Sequence, residues 1–167
     1  MKSKIELLAK KHKAKAFDCG KAMLDNYIHH QASQDVKRKL SVCFVWEDTE
    51  TGLIQGYYTL ANNSILLNTI PEKWRKKLPK SYTSIPATLL GRLAVDKRFQ
   101  GKGIGRILLV DALKKSYEVS EEIGSFAVVV DPLDDEAEKF YEKYGFIKLP
   151  DSGKMFIAMK TLKELFE

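Results

Sequence analysis

Cysteine, histidine and proline are scarce in this chain: two, three and five, respectively, among 167 residues. Cys19 and Cys43 have no Cys-x-x-Cys spacing and no histidine close by in sequence, which excludes the usual zinc and dithiol signatures and leaves buried or idle thiols. His12, His29 and His30 stand in lysine-rich or polar helical sequence, and neighbouring helical positions do not share a face, so no metal site is expected. No apolar run approaches the length of a membrane span, and the N-terminal stretch has basic residues but only a short apolar patch after Glu6. Neither a membrane protein nor a secretory signal is therefore expected; the reading is a soluble protein of the cytoplasm. Internal repeats and low-complexity tracts are also missing. What remains is 44% hydrophobic and 30% charged sequence, enough for one well-buried core and too little for two ordinary domains, so a single domain over 1–167 is expected.

Two nucleotide motifs are absent as well. Counting Gly-x-Gly-x-x-Gly from Gly101 ends on Arg106, and counting from Gly103 ends on Leu108; Lys102 is followed by Gly103 where a P-loop needs Ser or Thr. Yet glycines do cluster, at Gly101, Gly103 and Gly105, between an apolar strand-like segment ending at Val95 and a helical run of Ile107 to Leu113. Glycines that tolerate φ > 0 or close backbone approach, placed before a helix whose first N–H groups lack intrahelical partners, suit an anion. Arg98, Lys102 and Arg106 add positive charge where the helix dipole already favours an oligophosphate.

Charge is uneven along the chain. Lys and Arg number 28 against 22 Asp and Glu, a formal balance of +6. The basic residues concentrate at Lys2 to Lys15, at Lys37-Arg38-Lys39 and at Lys73 to Lys80. Each cluster alone reads as a solvated face; together they make nucleic acid a candidate partner.

Periodicity supplies the elements. Ile5 to Leu8 reads as an edge strand, and Met23, Leu24, Tyr27 and Ile28 recur at helical spacing in a helix that continues into Gln31 to Lys39. Val42 to Trp46 and Ile54 to Ala61 read as a hairpin, Ile70 to Leu78 as a short amphipathic connector, and Thr88 to Val95 as a central strand. The helix from Gly105 to about Glu118 should press Ile104, Ile107, Leu108 and Leu109 against the sheet, and Ser125 to Val130 is continuously apolar, as in a strand covered on both faces. Strand, helix, strand implies a parallel crossover. Asp134 or Asp135 can cap a helix carrying Ala137, Phe140, Tyr141 and Tyr144, which Gly145 ends; a last hairpin over Phe146 to Leu149 and Met155 to Met159 follows. The class is α/β, a mixed twisted sheet flanked by helices.

Gln100-x-x-Gly103-x-Gly105 resembles the Arg/Gln-x-x-Gly-x-Gly/Ala loop of the GNAT superfamily of N-acetyltransferases, and Phe140-Tyr141-x-x-x-Gly145-Phe146 resembles its late Phe-Tyr-x-x-x-Gly-Phe signature. The resemblance implies a sheet splayed beside Val95 and an acetyl-CoA site. In it Gln100, Gly101, Lys102, Gly103, Ile104, Gly105 and Arg106 hold the pyrophosphate. Leu93, Ala94 and Val95 offer main-chain hydrogen bonds to the pantetheine and an N–H to the thioester carbonyl. Tyr141 would be the acid for the departing thiolate, since a phenol with a pKa of about 10 is protonated near neutrality; from spacing alone it reads equally as a core tyrosine.

Phe17-x-Cys19-Gly20, Leu24-Asp25-x-Tyr27-Ile28, Gly56-Tyr57-Tyr58-Thr59-Leu60-Ala61 and Ile85-Pro86-x-x-Leu89-Leu90-Gly91-Arg92-Leu93-Ala94-Val95-Asp96 are similar to TacT and AtaT-like acetyltransferase toxins of type II toxin–antitoxin modules. That resemblance implies an aminoacyl-tRNA substrate acetylated on its α-amine, a ribbon-helix-helix antitoxin as partner, and tRNA contacts from Arg92, Lys37, Arg38, Lys73, Arg75, Lys76 and Lys77. A homodimer is left open. One departure stands out: Val130-Asp131-Pro132 replaces the Val-His-Ala usual in these toxins. Between Tyr82 and Val95 there is no Asp, Glu or His, which favours a weakly basic α-amine, partly neutral at a pKa of about 7.7 to 8.0, over a lysine at about 10.4; otherwise Asp96, Glu47 or water must serve as base. The competing expectations are a GNAT enzyme acting on a small amine or a protein N-terminus, and a non-catalytic module that kept the fold.

Overall fold

The computed structural model describes residues 4–167; Lys2, counted above among the basic residues, lies outside them. The described elements in chain order are β1 (Ile5–Leu7), α1 (Ala22–His30), α2 (Ala32–Lys37), β2 (Val42–Glu47), β3 (Ile54–Leu66), α3 (Glu72–Arg75), β4 (Ser84–Val95), α4 (Ile104–Ser120), β5 (Ala127–Val130), α5 (Asp135–Lys143), β6 (Ile147–Lys148), β7 (Met155–Ala158) and α6 (Met159–Phe166). The strands form one open mixed sheet in the order β1-β2-β3-β4-β5-β7-β6, flanked by helices. β1 and β2, and β2 and β3, pair antiparallel, whereas β4 and β5 pair parallel, as a crossover through α4 requires. The parallel register runs Ala87 to Leu89 against Ala127 to Val129, and β4 continues beyond it to Val95.

The chain divides into two compact units, each made of separated segments. One comprises residues up to Ala61 with Leu90–Ala112, the other Asn62–Leu89 with Leu113–Glu167. In the first, Phe17, Tyr27, Ile28, Cys43, Val45, Ile54, Tyr57 and Ala94 form the core. Aromatic rings set its geometry: Phe17 meets Tyr57 edge-on at 5.2 Å, and Tyr27 stacks on Tyr57 at 6.4 Å. The Tyr57 hydroxyl avoids a buried orphan by donating to the Leu24 carbonyl at 2.7 Å, so α1 is pinned to β3. In the second, Ile65, Ile70, Ile85, Ala87, Ala127, Val129, Leu149, Phe156 and Ala158 form the core, and all four β5 residues are buried, in keeping with a strand covered on both faces.

Local chemistry explains the helix boundaries. Asp134, the first of the two candidate caps, accepts the Ala137 N–H at 2.9 Å, and Asp135, Glu136 and Glu138 fill the first turn of α5 where negative charge is favoured. Gly145 at φ +95 ends that helix.

Several expectations need correction. The helix through Lys39 is broken at Gln31 into α1 and α2, and Met23, expected on its apolar face, is exposed. Ile107 is exposed as well, while Ile104, Leu108 and Leu109 are buried: four near-consecutive apolar residues exceed the arc a helix can turn inward. β3 runs five residues past Ala61 through Asn62-Asn63-Ser64, because ladder hydrogen bonding overrides weak strand propensity. Met159, expected to end a strand, instead opens α6, an amphipathic helix that buries Met159 and Leu162.

Candidate active site

The loop between β4 and α4 is anchored by the protein's own hydrogen bonds. Asp96, whose side chain has no solvent exposure, accepts the Asp18 N–H at 3.0 Å, the Arg98 N–H at 2.9 Å and the Arg98 guanidinium at 2.7 and 2.9 Å. Burial pushes the Asp96 carboxyl up, but the hydrogen bonds from Arg98 and Asp18 outweigh it and hold its pKa below the usual value. Asp96 is thereby corrected as a candidate base: a buried, ion-paired carboxylate with a depressed pKa does not take a proton from an amine. Arg98 also donates to the Ala16 carbonyl at 2.8 Å, so its charge is committed to the scaffold.

Downstream, Gln100 donates through its amide to the Val95 carbonyl at 2.9 Å and to the Cys19 carbonyl at 3.3 Å, tying the loop to the strand end and to the turn before α1. Gly101 and Gly103 adopt φ of +79 and +78, and an added Cβ at either would meet nothing within 4 Å. Glycine is needed there for backbone conformation, and the space above stays open for a ligand. Ile104 is buried and starts α4; Lys102 and Arg106 are exposed, with the Lys102 ammonium 5.7 Å from the Phe99 ring. Anchors beneath, open glycines above and cations at the rim fit a pyrophosphate.

Leu93, Ala94 and Val95 are the last three residues of β4, with Ala94 buried between two half-buried neighbours. A feature absent from the sequence reading fixes their depth: a Cβ on Gly56 would lie 2.8 Å from the Ala94 carbonyl oxygen and 2.5 Å from Leu108 Cδ1. Gly56 thus lets β3, β4 and α4 approach closely. Nearby, Tyr58 donates to Asp111 of α4 at 2.6 Å.

In the same unit, the Arg92 guanidinium lies 3.4 Å over the centre of the Tyr27 ring, a cation–π contact. The Tyr27 hydroxyl donates to Asp35 at 2.8 Å and sits 3.1 Å from Ser41, so α1 and α2 hold the platform. Lys37 and Arg38, at the end of α2, are exposed. The sequence reading missed Tyr27 as this platform; an aromatic at core spacing carries no sign of which face is covered by an arginine.

Tyr141, in the second unit, is 7% exposed and lies against Phe140 and Phe146 at 5.3 and 5.2 Å. Burial alone raises its pKa well above the phenol's ordinary value, so it carries its proton at neutral pH. Lys73, Arg75, Lys76 and Lys77 fall on or just after α3 of this unit; all are exposed except Arg75, which is half-buried. Asp131 is exposed and directly follows β5. Among the described residues no group of three or more His, Cys, Asp or Glu side chains is placed to hold a metal ion, and no helix is long and apolar enough to cross a membrane.

Residues 39–148 match the model of the acetyltransferase (GNAT) domain. The chain is 34% identical over 151 residues to a tRNA-acetylating toxin of Mycobacterium tuberculosis (strain H37Rv), covering 90% of this chain and 88% of that protein. It is 32% identical to a probable toxin TacT of Sinorhizobium fredii, over 93% of this chain and 90% of that protein. Among solved structures it resembles a tyrosine-to-phenylalanine mutant of KacT (TM-score 0.92, 27% identity, 99% and 100% of the two chains). It also resembles AtaT complexed with acetyl-methionyl-tRNA (TM-score 0.90, 28% identity, 99% and 100%) and AtaTR bound with acetyl-CoA (TM-score 0.86, 28% identity, 100% of both). With the pyrophosphate-type loop in place and two thirds of its length matched by the family, the chain belongs to the GNAT family of acetyltransferases.

Proposed function

We propose that this protein is an acetyl-CoA-dependent N-acetyltransferase, one domain over 1–167, that acetylates the α-amine of aminoacyl-tRNA and thereby blocks translation. The observation that carries the reading is the pre-anchored loop at Gly101 to Gly103, open above and rimmed by Lys102 and Arg106, in a chain 34% identical to a tRNA-acetylating toxin. Leu93, Ala94, Val95 and the loop from Gln100 to Arg106 hold acetyl-CoA, which supplies an activated acyl group and a thiol leaving group. A main-chain N–H at the end of β4 stabilises the negative charge that develops on the carbonyl oxygen. The acceptor α-amine is partly neutral near pH 8 and needs no strong base. Tyr141 holds its proton on Oη and gives it to the sulfur as the carbon–sulfur bond breaks, and the proton shed by the attacking nitrogen restores the phenol through solvent. Arg92, Lys37, Arg38, Lys73, Arg75, Lys76 and Lys77 contact the tRNA.

A charged-tRNA substrate supports a cytoplasmic location. An antitoxin of ribbon-helix-helix type is the expected protein partner, as AtaT is found in complex with the antitoxin AtaR. The test is transfer of radiolabelled acetyl from acetyl-CoA to bulk charged tRNA, with deacylated tRNA and Tyr141→Phe as controls. Label on charged tRNA only, lost in the variant, is the expected result. Binding of acetyl-CoA without label on tRNA would shift the acceptor to a small amine or a protein N-terminus.

A further inference from the structure

The connection between β3 and β4 forms a cavity of about 320 Å³ lined by Leu66, Leu67, Asn68, Arg75, Tyr82 and Thr83. Its size is at the small end for a ligand site, suited to one flat ring system. The frame is rigid. Leu67 donates its N–H to the Thr83 carbonyl at 3.0 Å, closing the neck, and Thr69 donates its hydroxyl to the Leu66 carbonyl at 2.7 Å. Trp74 anchors α3 from below, edge-on to Phe126 and Phe156 at 6.3 and 6.0 Å, which turns the lysines beside it outward. Arg75 is half-buried and spends one N–H on the Asn68 carbonyl at 3.3 Å, keeping its plane at the cavity while other donors stay available.

The exposed chemistry is selective. Tyr82 is 54% exposed and Leu66 53% exposed, although both are large and apolar-faced. Asn68 is exposed, and its side-chain amide can both donate and accept. Between Leu66 and Ser84, five basic side chains, Lys73, Arg75, Lys76, Lys77 and Lys80, stand against one acidic residue, Glu72. An aromatic face, a guanidinium and an exposed amide on a basic stretch of chain are the elements that hold an unstacked base while tracking its backbone.

We propose that this cavity receives one unstacked nucleobase of the RNA substrate, stacked on Tyr82 and edged by Asn68 and Arg75, with Lys73, Lys76 and Lys77 on the flanking phosphates. The proposal rests on the tRNA reading above and assigns that reading a base-specific contact. An apolar small molecule would gain nothing from the surrounding charge, and an acidic peptide would gain nothing from a stacking face.

The experiment uses the full chain and a CCA-ended RNA hairpin carrying 2-aminopurine at single-stranded positions, whose fluorescence falls on aromatic stacking. Acetyl transfer to charged tRNA is measured in parallel. Wild type should quench one position, Tyr82→Ala should abolish the quench and weaken RNA binding about tenfold, and Tyr82→Phe should restore both. Arg75→Lys, which keeps charge but not the plane, should lose most of the affinity that Arg75→Ala loses. Equal quenching in wild type and Tyr82→Ala, or none in either, overturns the base site whatever the transfer assay gives. Quenching lost in Tyr82→Ala, with no acetyl transfer to charged tRNA by wild type, supports the base site while refuting tRNA as the acetyl acceptor.

Discussion

The Asp96 carboxylate is held 2.7 Å from the Arg98 guanidinium, two residues on, and 3.0 Å from the main-chain N–H of Asp18, 78 residues earlier in the chain. One buried side chain therefore fixes both the approach to the glycine loop and the segment before α1. Asp96→Ala should cost about 2–4 kcal/mol in urea unfolding, the range for stripping partners from a buried charge-assisted network. Because the folded pKa is lowered, this stabilisation is complete above the ordinary carboxylate value of about 3.9 and is lost as pH falls through the lower folded value. The stability gap between wild type and Asp96→Asn should stay level from pH 8 to 5 and narrow below 4; a gap that widens in acid would refute the assignment.

Tyr141→Phe removes one oxygen from a ring that keeps its Phe140 and Phe146 neighbours. The expected result is a fall in kcat of about a hundredfold or more with acetyl-CoA affinity and melting temperature nearly unchanged. Since burial raises the phenol's pKa, the wild-type rate should climb to about pH 8 as the α-amine deprotonates and show no loss from phenol ionisation up to pH 9. A variant with wild-type kcat would make Tyr141 a core residue only.

Two glycines should fail in different ways. Gly103→Ala introduces a side chain into open space at φ +78, so it should cost roughly 1 kcal/mol of stability and weaken acetyl-CoA binding through the displaced loop. Gly56→Ala drives a methyl to 2.5 Å from Leu108 Cδ1 and 2.8 Å from the Ala94 carbonyl, so about 1–3 kcal/mol of overpacking is expected. Calorimetry and acetyl-CoA titration on both variants separate conformational from steric demand; a Gly103→Ala variant that binds acetyl-CoA as tightly as wild type would contradict the role given to the loop.

Arg92→Ala should raise the KM for charged tRNA about fivefold or more and reduce the salt slope of binding by about one, leaving the acetyl-CoA affinity intact. Tyr27→Phe keeps the ring under the guanidinium while losing the bonds to Asp35 and Ser41, so it should change that KM far less. An unchanged salt slope in Arg92→Ala would remove Arg92 from the RNA surface.

The amino-acid sequence by itself determined the features that depend on near neighbours. Glycines at alternate positions after an apolar strand, Asp134 before an acidic first turn, the fully apolar β5 and the Phe140 to Phe146 signature were all legible, because turn chemistry, capping and periodicity act over a few residues. Tertiary structure alone decided what those groups spend themselves on. Arg98 looked like a phosphate ligand and is neutralised by Asp96; Asp96 looked like a base and is locked as an acceptor; Tyr27 looked like core and supports Arg92. The cavity likewise joins Leu66, at the end of a β3 that outruns its apolar sequence, to Tyr82, sixteen positions on. Hydrogen bonds and ring contacts between residues tens of positions apart depend on where the backbone has been carried, and no local pattern encodes that.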